Sequence, residues 1–178
     1  MKKASATDHQ NRRKSILEAA LYCFLHHGYA KTSMNDIASK VNLGRPLIYL
    51  QFQNKTDLLI ALFDHLMEGR IEKAKEILKS KSEKKAKLQT IMTTLILEPW
   101  EIISEKQKSE EFFEMCSKHN QKNYEQFEKK QLNILKDFFQ NETMAEVFAL
   151  SVNGAMSDTP SSRVLKKRLE ILVRTFTN

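Results

Sequence analysis

Apolar residues recur at helical spacing along most of this chain, and the breaks in that rhythm divide it into segments. From Arg12 onward, Ile16, Leu17, Ala20, Leu21, Phe24 and Leu25 form the stripe of a helix with one wet side, and Gly28 is expected to stop it. Thr32 and Ser33 then precede a short helix beginning near Met34. Ser33 is placed to accept a backbone N–H while Asp36 faces the helix N-terminus, an Asp version of the capping box. Ile37, Ala38 and Val41 turn inward, and Asn42 tolerates the left-handed backbone of a tight turn. Gly44 as N-cap and Pro46 in the first turn open a third, short helix with Leu43, Leu47, Ile48 and Phe52 as its apolar positions.

Asn54 with Asp57 marks the start of a long fourth helix, whose rhythm of Leu58, Leu59, Leu62, Phe63, Leu66, Ile71 and Leu78 predicts one continuous rod over about 55–80. The charged joint 79–87 holds no Gly or Pro and reads as a turn between helices. A fifth helix over about 82–97 carries Leu88, Ile91, Met92, Leu95 and Ile96, and Pro99 ends or kinks it. Further helices are expected over about 100–117, 120–140, 143–157 and 161–177. The fold class is therefore all-α, with about nine helices: an N-terminal three-helix unit joined by a long helix to a C-terminal helical bundle.

Composition agrees, since 4 Gly and 3 Pro in 178 residues leave few helix breakers, and 41% hydrophobic residues suffice for a buried core. No apolar run approaches the ~20 residues of a membrane span, and the polar stretch 1–14 lacks a signal-peptide core, so no membrane partner and a cytoplasmic location are expected. The two cysteines, Cys23 and Cys116, and the five histidines fall in no metal-ligand spacing, so neither a metal nor a cofactor is expected. No nucleophile elbow and no phosphate-binding Gly loop is present, which argues against an enzyme.

Charge changes the picture more. The chain carries +7, and residues 1–60 hold nine basic and four acidic residues, so +5 sits in the first third and +2 in the other 118 residues. A local excess of this kind points to a polyanion partner there, with plain solubility as the alternative. Two short helices joined by a tight turn and preceded by a supporting helix make a helix-turn-helix, whose second helix can enter a DNA major groove. The domain reading is a flexible basic N-terminus at 1–10, a DNA-binding domain at 11–57 and a helical domain at 58–178.

The stretch GYAKTSMNDIASKVNLGRPLIYLQFQNKTDL, from Gly28 to Leu58, resembles the TetR family of bacterial transcriptional regulators. Gly28, Tyr29, Thr32, Ser33, Ile37, Ala38, Tyr49, Phe52, Lys55 and Leu58 match that family's pattern in register, and Ala19, Ala20 and Phe24 upstream resemble its first helix. Asn42, Gly44, Pro46, Leu50 and Gln51 depart from it in the turn and recognition helix. The resemblance implies that Ser33 and the backbone at Met34 bind a phosphate, that Tyr49 and Lys55 clamp phosphates, and that Arg45, Pro46, Leu47 and Gln51 face the bases or the DNA backbone. For Leu47 and Tyr49 the alternative is packing; for Arg45, a phosphate contact instead of guanine. Arg12, Arg13 and Lys14, ahead of the first helix, are candidates for a basic arm.

The same resemblance implies a repressor that binds a palindromic double-stranded operator as a homodimer and is released by a small, apolar effector. It places the dimer interface on the last two helices, at Phe148, Ser151, Gly154, Ala155, Leu165, Leu169, Leu172 and Phe176, faces that could equally close a monomer's core. Candidate effector-pocket residues are Met92, Leu95, Trp100, Phe112, Phe113, Cys116, His119, Tyr124 and Phe127, with ordinary packing as the alternative. The competing function is a helical protein-interaction module without sequence-specific DNA binding.

Overall fold

The computed structural model describes residues 6–178, and its elements form two compact units. The first takes residues up to Leu66 together with Lys106–Gln121; the second takes Met67–Glu105 with Lys122–Asn178. Among the described residues every regular element is helical. Residues 106–121, expected in the effector domain, thus belong to the unit that carries the helix-turn-helix.

In the first unit, α1 (Ala6–His27), α2 (Met34–Lys40), α3 (Arg45–Tyr49) and α4 (Lys55–Met67) follow the expected order. Ile16, Phe24, Ile37, Ile48, Leu58, Leu59 and Leu62, from the apolar stripes of their helices, and Phe52, just after α3, are almost wholly buried. Helix α1 begins before Arg12. Part of the flexible N-terminus expected at 1–10 is therefore helical from residue 6, and its first five residues lie outside the described residues. The expected capping box is present at Ser33 and Asp36. Helix α2 closes in a Schellman motif: Asn42 takes φ 52°, its N–H donates to the Ser39 carbonyl at 3.2 Å, and the Leu43 N–H donates to the Ala38 carbonyl at 3.0 Å.

Helix α8 (Ser109–His119) completes this unit, with Phe112 and Cys116 buried. The segment expected as one helix over 100–117 is broken at Ser104–Lys108, ahead of α8. The rod expected over 55–80 is also broken. After α4 the chain turns at Glu68–Gly69, where Gly69 takes φ 77°, a conformation open to a residue without Cβ, and α5 (Arg70–Lys79) starts afresh.

The second unit contains α5, α6 (Lys84–Met92), a π-helical turn (Thr93–Leu97), α7 (Glu98–Ile103), α9 (Gln121–Phe139), α10 (Glu142–Met156) and α11 (Ser162–Thr177). Pro99 does not end the helix, one of the two outcomes expected of it. It falls in the first turn of α7, directly after the π-turn, because widening by one residue accommodates a ring that carries no N–H and would strike the carbonyl a turn earlier. Leu88, Ile91, Leu95, Leu135, Phe148, Leu165, Leu169 and Val173 lie within the core of this unit. Asn141 caps α10 by accepting the Met144 N–H at 2.9 Å, and Ser161 caps α11.

Candidate nucleic-acid interface

Helix α3 has one buried and one open side. Ile48 is wholly buried and Leu47 is half-buried. Arg45, Pro46, Tyr49 and Leu50 are exposed, Tyr49 at 41% and Leu50 at 77%. The Arg45 guanidinium lies 5.5 Å from the centre of the Tyr49 ring, an arrangement that steadies two long side chains on one face. The open edge is therefore aromatic and cationic. Gln51 is half-buried, and its carbonyl accepts a bond from Arg13 at 3.4 Å while the Arg13 guanidinium stacks 4.4 Å from the Phe52 ring. Arg13 sits inside α1 and braces the end of α3 instead of preceding the helix as a free arm.

At the start of α2, the Asp36 carboxylate accepts from the Ser33 N–H and hydroxyl, both at 2.8 Å, and the Asp36 N–H donates to the Ser33 hydroxyl at 3.2 Å. The Ser33 backbone bond, then its hydroxyl bond, hold the Asp36 carboxyl below the usual range. The Met34 side chain is buried, so its share of any phosphate contact is its backbone N–H, which with that of Asn35 heads the helix.

Lys55 has a different task from the phosphate clamp expected of it. Its ammonium donates to the carbonyls of Tyr29 at 2.7 Å, Thr32 at 2.8 Å and Ala30 at 3.4 Å, and lies 4.4 Å from the centre of the Tyr29 ring. Burial among these groups lowers its pKa, against a raising effect of the Glu111 charge. The residue ties the α1–α2 turn to α4. Glu111 on α8 ties the same turn from another side: its carboxylate accepts the Ala30 N–H at 2.9 Å and lies against Gly28, where a Cβ would come within 2.5 Å of it. Gly28 itself takes φ 89°. The Thr32 hydroxyl, buried, donates to the Gly28 carbonyl at 2.7 Å. The turn that orients α2 is thus fixed by Thr32, Lys55 and Glu111, the last of which sequence spacing gave no reason to choose.

The family model for bacterial regulatory proteins of the tetR family matches residues 16–62, the stretch from α1 into α4. The chain is similar to the fatty acid metabolism regulator protein of Bacillus subtilis, 35% identical over 78 residues, which are 44% of this chain and 40% of that protein. Residues 16–62 are a domain of the tetR family. The chain is also similar to the probable acrEF/envCD operon repressor of Escherichia coli K12, 40% identical over 58 residues that cover 33% of this chain and 26% of that one. The match thus spans less than half the length of either relative.

Solved TetR-like structures extend the likeness of fold to nearly the full chain. SmeT, the repressor of the Stenotrophomonas maltophilia multidrug efflux pump SmeDEF, superposes with a TM-score of 0.67 at 18% identity, covering 92% of this chain and 87% of that one. The fatty acid degradation regulator FadR of Bacillus halodurans gives 0.65 at 20% identity, covering 97% of each chain.

Within the second unit, a cavity of about 340 Å³ is lined by Met92, Leu95 and Ile96, by Glu125, Glu128, Lys129, Gln131, Leu132 and Leu135 of α9, and by Ala149, Val152 and Asn153 of α10. Of the nine expected pocket residues only Met92 and Leu95 face it. Trp100 instead donates its Nε1–H to the Pro160 carbonyl at 2.9 Å, Phe127 packs on the core, and Tyr124 is off the lining. Phe112, Phe113, Cys116 and His119 belong to the other unit, where the His119 ring lies 6.0 Å from that of Tyr29. Burial pushes the Cys116 thiol up to about 12, which keeps it protonated and unreactive.

The expected dimer face is corrected in the same way. Phe148, Leu165 and Leu169 are at most 1% exposed and close the core of their own chain, with Leu172, Ala155 and Phe176 packed against them. Ser151 is half-buried and Gly154 exposed. The apolar residues left open lie beside them: Met144, Val147 and Leu150 on α10, and Val164 and Ile171 on α11. No helix among the described residues is long and apolar enough to cross a membrane, and they contain no group of three or more His, Cys, Asp or Glu that could hold a metal ion.

Proposed function

We propose that this chain is a DNA-binding transcriptional repressor which occupies a palindromic operator as a homodimer and leaves it when a small molecule fills the cavity of the second unit. The observation that carries the reading is the open edge of α3: Arg45, Tyr49 and Leu50 are exposed, while Ile48 and Phe52 anchor the helix from behind. Arg45 is positioned to take guanine O6 and N7 or a phosphate, Tyr49 to donate its hydroxyl to a phosphate, and the Met34 and Asn35 amides to meet another phosphate at the head of α2. Gln51 supports α3 through its carbonyl, and Lys55 shapes the turn.

Dimerisation uses the exposed stripe of α10 and α11. Leu150 and Ile171 are 69% and 53% exposed, and single large apolar groups in register on two adjacent helices suit a two-fold contact with a second copy. Charge differs between the two helices: α10 exposes Glu146 and a Glu142 paired with Lys136, whereas α11 exposes Arg163, Lys166, Lys167 and Arg174 with one acidic residue, Glu170. The chain crosses between its two units after Leu66, Glu105 and Gln121, and these crossings are the covalent routes by which a filled cavity reaches α4 and α8.

Selection of bound fragments from random duplex DNA tests the reading. A symmetric site whose halves are one or two helical turns apart is expected, bound with a steep salt dependence. Recovery of fragments without a shared sequence would contradict it.

A further inference from the structure

The cavity of the second unit has a polarity that runs along α9. Glu125, Glu128, Lys129, Gln131, Leu132 and Leu135 all face it, so one end of the wall is charged and the other apolar, over about 15 Å of helix. Met92, Leu95 and Ile96, the last two on the π-turn, together with Ala149 and Val152, add apolar surface to the lining. A ligand matched to such a wall is elongated, with an apolar body and a polar head.

The sign of the head follows from the charges present. Two carboxylates and one ammonium line the cavity. Lys129 follows Glu125 by one turn on the same helix, a spacing at which opposite charges offset each other, so the lining keeps a net charge of one carboxylate. Glu128 is left. It is half-buried and takes no part in the ion pairs formed among the described residues. Its charge is felt by Tyr124, whose phenol is pushed up by burial first and by Glu128 second. A carboxylate at the edge of an apolar wall attracts a cation more strongly than one in open water and repels an anion equally.

We infer that the cavity takes a cationic amphiphile, its apolar body between the π-turn and Leu132, Leu135 and Val152, and its positive head at Glu128. This rests on the proposed role of the cavity as effector site and adds the ligand's chemical class. A fatty acid anion, which would bring a second negative charge to Glu128, is excluded as the preferred ligand.

Calorimetric titration of the full-length protein with decyltrimethylammonium, decanol and decanoate, each below its micelle concentration, tests the inference. The ammonium compound is expected to bind at least about ten-fold more tightly than decanol, and decanoate more weakly than either. Glu128→Gln, a nearly isosteric change at a half-exposed position, is expected to abolish the advantage of the cation and leave decanol unchanged. Ala149→Phe, which fills the cavity, is expected to weaken all three. Equal or tighter binding of decanoate, a cation preference that survives Glu128→Gln, or no binding of any probe would overturn it. Operator release is measured separately: Glu128-dependent binding of the cation without loss of DNA would uphold the ligand class and contradict the role in release.

Discussion

The Glu111 carboxylate accepts the Ala30 N–H at 2.9 Å across 81 residues of chain, and so holds the turn between α1 and α2 from α8. Gly28 makes this possible by combining φ 89° with a bare Cα next to that carboxylate. Glu111→Ala is expected to lower stability by about 1 kcal/mol, the worth of one charge-assisted bond at a partly exposed site. Gly28→Ala should lose about 1–2 kcal/mol, most of it from the left-handed backbone, so adding Glu111→Ala will not rescue it. Urea unfolding of the two single variants and the double variant measures both.

Lys55 separates a structural role from a phosphate contact. Its ammonium serves three backbone carbonyls, so Lys55→Met is expected to destabilise the first unit by about 2 kcal/mol. At a temperature where the variant is folded, the slope of log affinity against log salt should match that of the parent. Loss of about one unit of slope would show that Lys55 neutralises a phosphate after all.

The open and buried faces of the last two helices make opposite predictions. Leu150→Glu and Ile171→Glu are expected to yield folded monomers at micromolar concentration in sedimentation experiments. Phe148→Ala and Leu169→Ala leave cavities in the core and should cost about 2–5 kcal/mol of stability, seen as a lower melting temperature. A dimer that survives Leu150→Glu and Ile171→Glu together would place the interface elsewhere.

Acid should destabilise the fold in a defined window. Asp36 is held low by Ser33, Glu142 by Lys136 and Asp158 by Arg168, so each carboxyl has a lower pKa folded than unfolded. Such groups contribute stability above about pH 4, where the unfolded chain is also ionised, and lose it as pH falls through the folded values, because the unfolded state takes up protons first. The urea midpoint should therefore be level near neutrality and drop below about pH 4. Asp36→Asn should be less stable at neutral pH and show a shallower drop.

Local chemistry was legible in the sequence. The stop at Gly28, the Ser33–Asp36 box, the left-handed Asn42 and Pro46 in the first turn of α3 all depend on residues within a few positions of one another. The break at Gly69 left a trace that the reading passed over: the step from Leu66 to Ile71 is five residues, a slip of phase that a continuous helix does not make. The partners of Lys55 and Glu111 left none, since they meet only when α4 and α8 fold onto the turn. The expected pocket residues fall in both units because aromatic content does not reveal which unit a helix joins, and α8 joins the one that carries the helix-turn-helix. On α10 and α11 apolar residues occupy both the core and the open face, so spacing alone could not tell Phe148 from Val147.

The affinity of purified protein for its selected operator, read by fluorescence anisotropy for the parent, Arg45→Ala and Tyr49→Phe, tests the central claim most directly. Losses of about 1–3 kcal/mol for Arg45→Ala and about 1 kcal/mol for Tyr49→Phe, with unchanged melting temperatures, are expected from exposed side chains that touch DNA. Unchanged affinity in both variants would show that α3 does not read the operator.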